Sequence, residues 1–303
     1  MSATTASLRR TIHSAGDLQS VVRTMKALAA SSIGQYEQSV RALGDYFETV
    51  QLGLAVCFRD IGSAARITGE TRPTEAGAIG AVVFGSDQGL VGRFNEVVVD
   101  HAMAHLGALP EKAHVWAVGE RVHARLLDAG MPPVGSFPVP GSVELITRLV
   151  GQILLEARMS DPDPVGEPRG RALILFYNRP AGSGYEPVRQ RLLPLDERWQ
   201  RELARRHWPA IPLPEALGTG PQALRAFVRE HLFVSLFRAS AESLASENAS
   251  RLAAMQRADR NIGELLTDLG ARFHRTRQSG IDEELFDVVA GFDAMAPQAV
   301  PGG

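Results

Sequence analysis

Apolar residues recur at three- and four-residue steps along both ends of the chain. Near the N-terminus they are Ile12, Val21, Met25, Leu28, Tyr36, Val40, Leu43, Phe47, Val50 and Leu54, with Ser32 in phase. Near the C-terminus they are Leu244, Leu252, Met255, Ile262, Leu265, Leu269, Phe273, Ile281, Leu285 and Val288. That spacing keeps one apolar stripe on one helical face. Sustained this far, it predicts two long helices that pair, since neither can bury its stripe alone. At 1.5 Å per residue the first would run about 75 Å and the last about 100 Å. Proline placement agrees. All 18 prolines lie at or after Pro73, and between Pro221 and the tail residues Pro297 and Pro301 there is none. Proline breaks helix interiors, so 1–72 and 222–296 are free to be helical. Glycines interrupt both arms (Gly16, Gly34, Gly44, Gly53; Gly263, Gly270, Gly280). Each costs about 1 kcal/mol against alanine, which predicts local fraying or close helix approach. Gly291 and the Pro-containing tail mark the end of the last arm.

Between the arms, period and length change. Ile79–Phe84 reads as a buried strand, Phe94–Leu106 as a helix, Val115–Val118 as a strand and Glu120–Ala129 as a helix. A strand over Val134–Val139 and a helix over Val143–Met159 follow, then an acidic, proline-rich loop at Asp161–Pro168. Ala172–Tyr177 and Pro187–Leu193 are the last strands, antiparallel to each other around Gly182–Gly184. This alternation predicts an α/β domain with a mostly parallel sheet. The expected division is 1–72 as an N-terminal helix, 73–212 as the α/β domain, 213–296 as a C-terminal helix and 297–303 as a tail.

Composition narrows the function classes. With 45% hydrophobic and 22% charged residues, the 303-residue chain has material for a core. A net charge of -2 argues against a nucleic-acid binder, which needs a basic excess. Lysine occurs only at Lys26 and Lys112, a bias towards arginine with no function attached. The single cysteine, Cys57, excludes an internal disulfide and fits a reducing compartment, where it reads as a small apolar residue. No secretory signal is expected from the small, polar Met1–Ser7 segment. No apolar stretch approaches the roughly 20 residues that span a bilayer, so direct membrane insertion is not expected.

Several segments offer chemistry. Gly85-Ser-Asp-Gln-Gly-Leu-Val-Gly-Arg93 follows the first strand and precedes a helix, where an α/β fold would cradle phosphate. Its spacing is neither G-x-G-x-x-G nor G-x-x-x-x-G-K-[ST], and without a lysine or hydroxyl after Gly92 it reads as a structural turn. His101 and His105 are four apart on a helix but lack a third ligand, so an exposed face is expected and no metal. Asp282, Glu283, Glu284 and Asp287 read as a solvated or partner-facing strip. Glu197–His207 is basic with one tryptophan, yet its glutamates suit an ordinary amphipathic helix better than RNA contact. No G-x-S-x-G pattern is visible. Neither a catalytic residue nor a cofactor is expected.

The last arm carries a specific resemblance. Glu242-Ser-Leu-Ala-Ser-Glu-Asn-Ala-Ser-Arg-Leu-Ala-Ala-Met255, then Ala258, Asn261, Arg277-Gln278, Ile281, Glu284, Val289 and Gly291, resembles the C-terminal signature of the F-type ATP synthase gamma subunit family. That signature reads E-S-x-A-S-E-x-x-x-R-M-x-A-M-x-x-A-x-x-N, followed by Y-N-x-x-R-Q-x-x-I-T-x-E-I-x-E-I-V-x-G. Ile12-His-Ser14, Gln19, Val21 and Arg23-Thr-Met-Lys26-Ala-Leu-Ala-Ala-Ser31 resemble the family's N-terminal I-x-S … Q-K-I-T-K-A-M-K-M-V-A-A-S-K. Ser86–Asn95 resembles its central S-D-R-G-L-C-G-G-L-N. Departures are Ser20, Val22, Gln88, Val91 and Asp282. They imply a divergent bacterial member, with the alternative, sodium-linked F-type ATPase as a candidate sublineage. The coupled ion itself is chosen in the membrane ring and is left open.

The resemblance implies a non-catalytic rotor shaft. Its terminal helices would form an antiparallel coiled coil threading a hexamer of ATP synthase alpha and beta subunits. Its α/β domain would grip the epsilon subunit and the membrane c-ring, peripheral to the cytoplasmic face of the bacterial plasma membrane. Carried over by position, Arg23, Met25 and Lys26 would meet the beta subunits' acidic lever loop. Arg251, Arg277, Gln278 and Glu284 would contact or couple to the hexamer. The alternatives are a coiled-coil scaffold with an α/β domain and a nucleotide-binding α/β enzyme.

Overall fold

The computed structural model describes residues 4–64, 79–109, 113–156, 172–182, 184–206 and 220–295. The acidic segment Asp161–Pro168 lies outside them. The chain forms two compact units, Met1–Leu28 with Ala253–Gly303, and Ala29–Leu252. Two long helices, α1 (Thr5–Ala64) and α6 (Gly220–Met295), contribute to both. Between them in sequence run β1 (Ile79–Phe84), α2 (Phe94–Leu106), β2 (His114–Val118), α3 (Glu120–Asp128), β3 (Gly135–Phe137), α4 (Val143–Glu156), β4 (Ala172–Ala181), β5 (Gly184–Leu193) and α5 (Glu197–Ala204). The fold class is the one expected, long paired terminal helices around a mostly parallel α/β domain. The third strand is shorter than its apolar run suggests. Only Gly135–Phe137 pair with β2, through Trp116–Val118.

The larger unit holds the sheet, in the order β3-β2-β1-β4-β5. Its first four strands are parallel, and β5 turns back antiparallel on β4. Every residue of β1 is buried, as a central strand covered on both faces requires. Side chains alternate between the faces. Val82, Phe84, Leu173, Leu175 and Tyr177 join one core with α4, α1 and α6. Ala81, Val83 and Phe176 join another with Val98, Val99 and Ala102 of α2 and Val122 and Leu126 of α3. His101 and His105, expected on an open face, are instead half-buried, with their rings about 6 Å from that of Phe176. Cys57 is buried among apolar side chains.

Within this unit α1 and α6 pair antiparallel. Phe47 stacks on His231 at 5.8 Å, and the Tyr46 hydroxyl donates to Glu230 at 2.6 Å. Both helices run unbroken through their glycines, so the predicted fraying does not occur. Close approach is real at Gly53, where an added Cβ would lie 2.2 Å from the Phe227 ring. At Gly34 and Gly44 it would meet nothing within 4 Å.

The smaller unit is a helix pair. Leu8, Ala15 and Val22 of α1 are buried at intervals of seven, as are Met255, Ile262 and Leu269 of α6. Val22, Met255 and Ile262 form a small core with Met25, Ala254, Ala258 and Leu266 around it. Seven-residue spacing is the repeat of a supercoiled seam. The expected stripe was out of phase in places. Val21, Leu28 and Leu265 are exposed, because the neighbouring Val22, Ala29 and Leu266 take the inward positions. Ile281, Leu285 and Val288, also expected on a covered stripe, are exposed as well.

Candidate partner-contact site

The expected contact residues fall into three groups. Arg23, Met25 and Lys26 come together on α1 in the smaller unit. Asp259 of α6 collects the two cations. Its Oδ1 accepts from Gln19 Nε2 at 3.2 Å and Arg23 Nε at 3.3 Å, and its Oδ2 accepts from Lys26 Nζ at 2.9 Å. The bond from Lys26, then the one from Arg23, holds the Asp259 carboxyl below the usual aspartate range. Met25 packs half-buried beside Val22 and Met255. Two cations against one carboxylate leave this cluster with one net positive charge. Sequence reasoning missed Asp259, although an acid in phase with the apolar stripe was a readable signal.

Arg251 lies in the larger unit and is inward-facing. Its side chain is 13% exposed and bonds Glu247, 6% exposed, at 2.7 Å. Burial pushes the Glu247 carboxyl up, against the pull of Arg251. Next to it, the Ser250 hydroxyl donates to the Val91 carbonyl and ties α6 to the turn after β1.

Arg277, Gln278 and Glu284 form the third group, all exposed on the last turns of α6. Every residue from Ile281 to Gly291 is exposed. Five of them are large and apolar: Ile281, Leu285, Phe286 (73% exposed), Val288 and Val289. Asp282, Glu283, Glu284 and Asp287 lie among them. Two turns before this stretch, the Arg9 guanidinium of α1 stands 5.7 Å over the Phe273 ring. Among the described residues this helix end is apolar on several sides and covered on none, which makes it the candidate interaction surface.

The turn after β1 sits where an open α/β sheet would bind a ligand, but the chain fills it itself. Asn95 Oδ1 accepts the Ser86 amide at 3.0 Å, and Asn95 Nδ2 donates to Ser86 Oγ at 2.9 Å. The Asp87 carboxylate accepts the Glu120 amide at the start of α3 at 2.9 Å and the Val139 amide at 3.0 Å. An aspartate thus occupies the place an anion would take at that helix N-terminus. Leu90 and Gly92 complete the turn at φ 64 and 60.

Among the described residues no group of three or more metal-ligating side chains could hold an ion, and no helix is long and apolar enough to cross a membrane.

Comparison with known proteins gives consistent results. A family model described as ATP synthase matches residues 4–295. The ATP synthase gamma chain of Nitrosomonas eutropha is 25% identical over 305 residues, covering 97% of this chain and 100% of its own. That of Methylibium petroleiphilum is 27% identical over 295 residues, covering 95% and 98%. A chain in the OSCP/F1/c-ring structure of Euglena gracilis mitochondrial ATP synthase superposes with TM-score 0.64 at 15% identity, over 99% of this chain and 98% of that one. A chain in the central stalk/c-ring structure of the Tetrahymena thermophila enzyme gives 0.55 at 20% identity, over 78% and 99%. At these identities the superpositions show the fold.

Proposed function

The chain belongs to the ATP synthase family, and on that footing we propose that it is the gamma-type central rotor shaft of an F1Fo ATP synthase. Its partners are the hexamer of alpha and beta subunits, the epsilon subunit and the membrane c-ring. It couples rotation of the ring to the cycling of catalytic sites carried by the beta subunits. The observation that carries this reading is the end of α6. Its apolar residues from Ile281 to Val289 stand exposed, and a sleeve formed by other subunits would cover them.

The mechanism needs no catalytic side chain. A shaft with different side chains on different faces presents a different surface to each surrounding subunit. A contact stronger in one conformation of a beta subunit than in another shifts that subunit's population, and rotation passes the contact on. Arg23 and Lys26, with one net positive charge between them and Asp259, suit an acidic partner segment, and Met25 gives the site an apolar floor. Arg277, Gln278 and Glu284 offer polar contacts beside the apolar tip. Arg251, bonded to Glu247, acts by holding the geometry of α6. The division into terminal helices over 1–72 and 213–296, an α/β domain over 73–212 and a tail over 297–303 assigns torque to the helices and anchoring to the domain. The chain would work on the cytoplasmic face of a bacterial plasma membrane, held there by its partners.

Co-purification tests the reading. The full chain should recover alpha and beta subunits in a stoichiometric complex, with ATP hydrolysis belonging to the complex. Hydrolysis by the isolated chain, or recovery without those subunits, would sink it. Truncation after Arg272 should uncouple hydrolysis from ion pumping while the α/β domain stays folded.

A further inference from the structure

The seam of the smaller unit contains one polar layer, and we infer that this layer fixes the register of the two helices. Leu8, Ala15 and Val22 repeat every seven residues, and so do Met255, Ile262 and Leu269. The half-buried positions four residues on are Ile12, Gln19 and Lys26 in α1 and Asp259, Leu266 and Phe273 in α6. An apolar seam with this repeat reads the same after a slip of seven residues. Its grip is weak at this level, since Ala15, Gly16, Ala254, Ala258 and Gly263 supply little interlocking surface. A Cβ on Gly263 would meet only Gln19, 3.8 Å away.

Asp259 breaks the degeneracy. In the observed register it faces Gln19, Arg23 and Lys26 and receives one bond from each. Slipped by seven one way it would face Ile12, Gly16 and Gln19, keeping one donor of the three. Slipped the other way it would keep Lys26 alone. Steps of three or four residues leave one long donor, Arg23, Lys26 or Gln19, joined in a single case by the short Ser20 hydroxyl. A charged side chain 18% exposed and short of partners disfavours each alternative. Polar residues at seam positions specify register in this manner, at a cost in stability against an apolar residue. The consequence for a shaft is a single helix alignment under torque. The inference stands on the helix pair itself, whether or not the chain is a rotor.

The test uses the isolated full chain in a Cys57→Ala background, with spin labels at Ser20→Cys and Arg260→Cys, both exposed. Pulsed electron resonance should give one narrow distance. In Asp259→Leu, a second population should appear, shifted by up to about 10 Å, the rise of seven residues. The melting temperature should be no lower than that of the parent, because leucine extends the apolar seam. Asp259→Glu, which keeps the charge, should retain the single distance. An unchanged narrow distance in Asp259→Leu overturns the inference. So does a leucine variant that fails to fold, which would make the layer a requirement for folding, or a glutamate variant that broadens. Because hexamer binding is not measured, failure here leaves the rotor reading untouched.

Discussion

His231 should make the larger unit lose stability on acidification, and the loss can be worked out in advance. Its ring is 8% exposed, between Phe47 at 5.8 Å and Trp199 at 5.0 Å. Nδ1 has no hydrogen-bond partner. Burial lowers its pKa from 6.5 to about 4, since desolvation disfavours imidazolium. Above pH 6.5 the ring is neutral in folded and unfolded chains alike, and the stabilisation is fully present. As pH falls, the unfolded chain takes up the proton first, so stability drops until the folded ring protonates near pH 4. The loss is about 1.4 kcal/mol at pH 5.5 and about 2.5 kcal/mol at pH 4.5. Other groups titrate in the same range. The raised Glu247 works in the opposite sense, binding its proton in the folded state first. The lowered His101 adds to the loss. A difference measurement removes both. His231→Phe keeps an aromatic ring between Phe47 and Trp199 and cannot titrate. Urea unfolding of parent and variant from pH 7.5 to 4.5 should show the variant gaining on the parent by about 2–3 kcal/mol across that range. A difference constant with pH would refute the reasoning.

Other substitutions test the packing, the self-filled turn and the helix tip. Gly53→Ala should destabilise by about 1–3 kcal/mol, because its Cβ would lie 2.2–2.7 Å from three atoms of the Phe227 ring. Gly44→Ala and Gly270→Ala, with nothing within 4 Å, should each stabilise by up to about 1 kcal/mol; thermal unfolding separates the signs. Asp87→Ala, which strips acceptors from the Glu120 and Val139 amides, should cost about 1–3 kcal/mol in urea unfolding, and parent-like stability would contradict the capping role. Leu285→Ser with Phe286→Ser should leave the isolated chain within about 0.5 kcal/mol of the parent, since both side chains are exposed. The same pair should weaken binding to the alpha and beta hexamer measured by pull-down titration, and unchanged binding would remove the tip from the interface.

The long helices and the succession of strands and helices between them were legible because their signals are local. Ile79–Phe84 is a continuous apolar run ended by Gly85, and nothing distant alters what that run can become. The phase of the seam was less legible. A periodic reading follows large apolar side chains, so it favoured Leu28 over Ala29. Close helix packing takes the smaller residue inward and leaves Leu28 64% exposed. Of the candidate contact site, Arg23, Met25 and Lys26 were readable as one group on α1. Asp259 was visible as an acid in phase with the stripe, but its partners were not, because it lies 233 residues from Lys26 along the chain and no local pattern carries that pairing. The same limit governs the turn after β1, where glycines announce a cradle and give no sign that Asp87 already occupies it.

The end of α6 is a different case. Periodicity there was read correctly as a face needing cover and wrongly as one the chain covers itself. A helix that keeps Ile281, Leu285, Phe286, Val288 and Val289 in water forgoes burial that costs nothing in sequence to provide. On α1, Arg9 stands over the Phe273 ring, two turns before that tip. In the proposed assembly those side chains would be buried against other subunits, and that burial is what the Leu285 and Phe286 substitutions test.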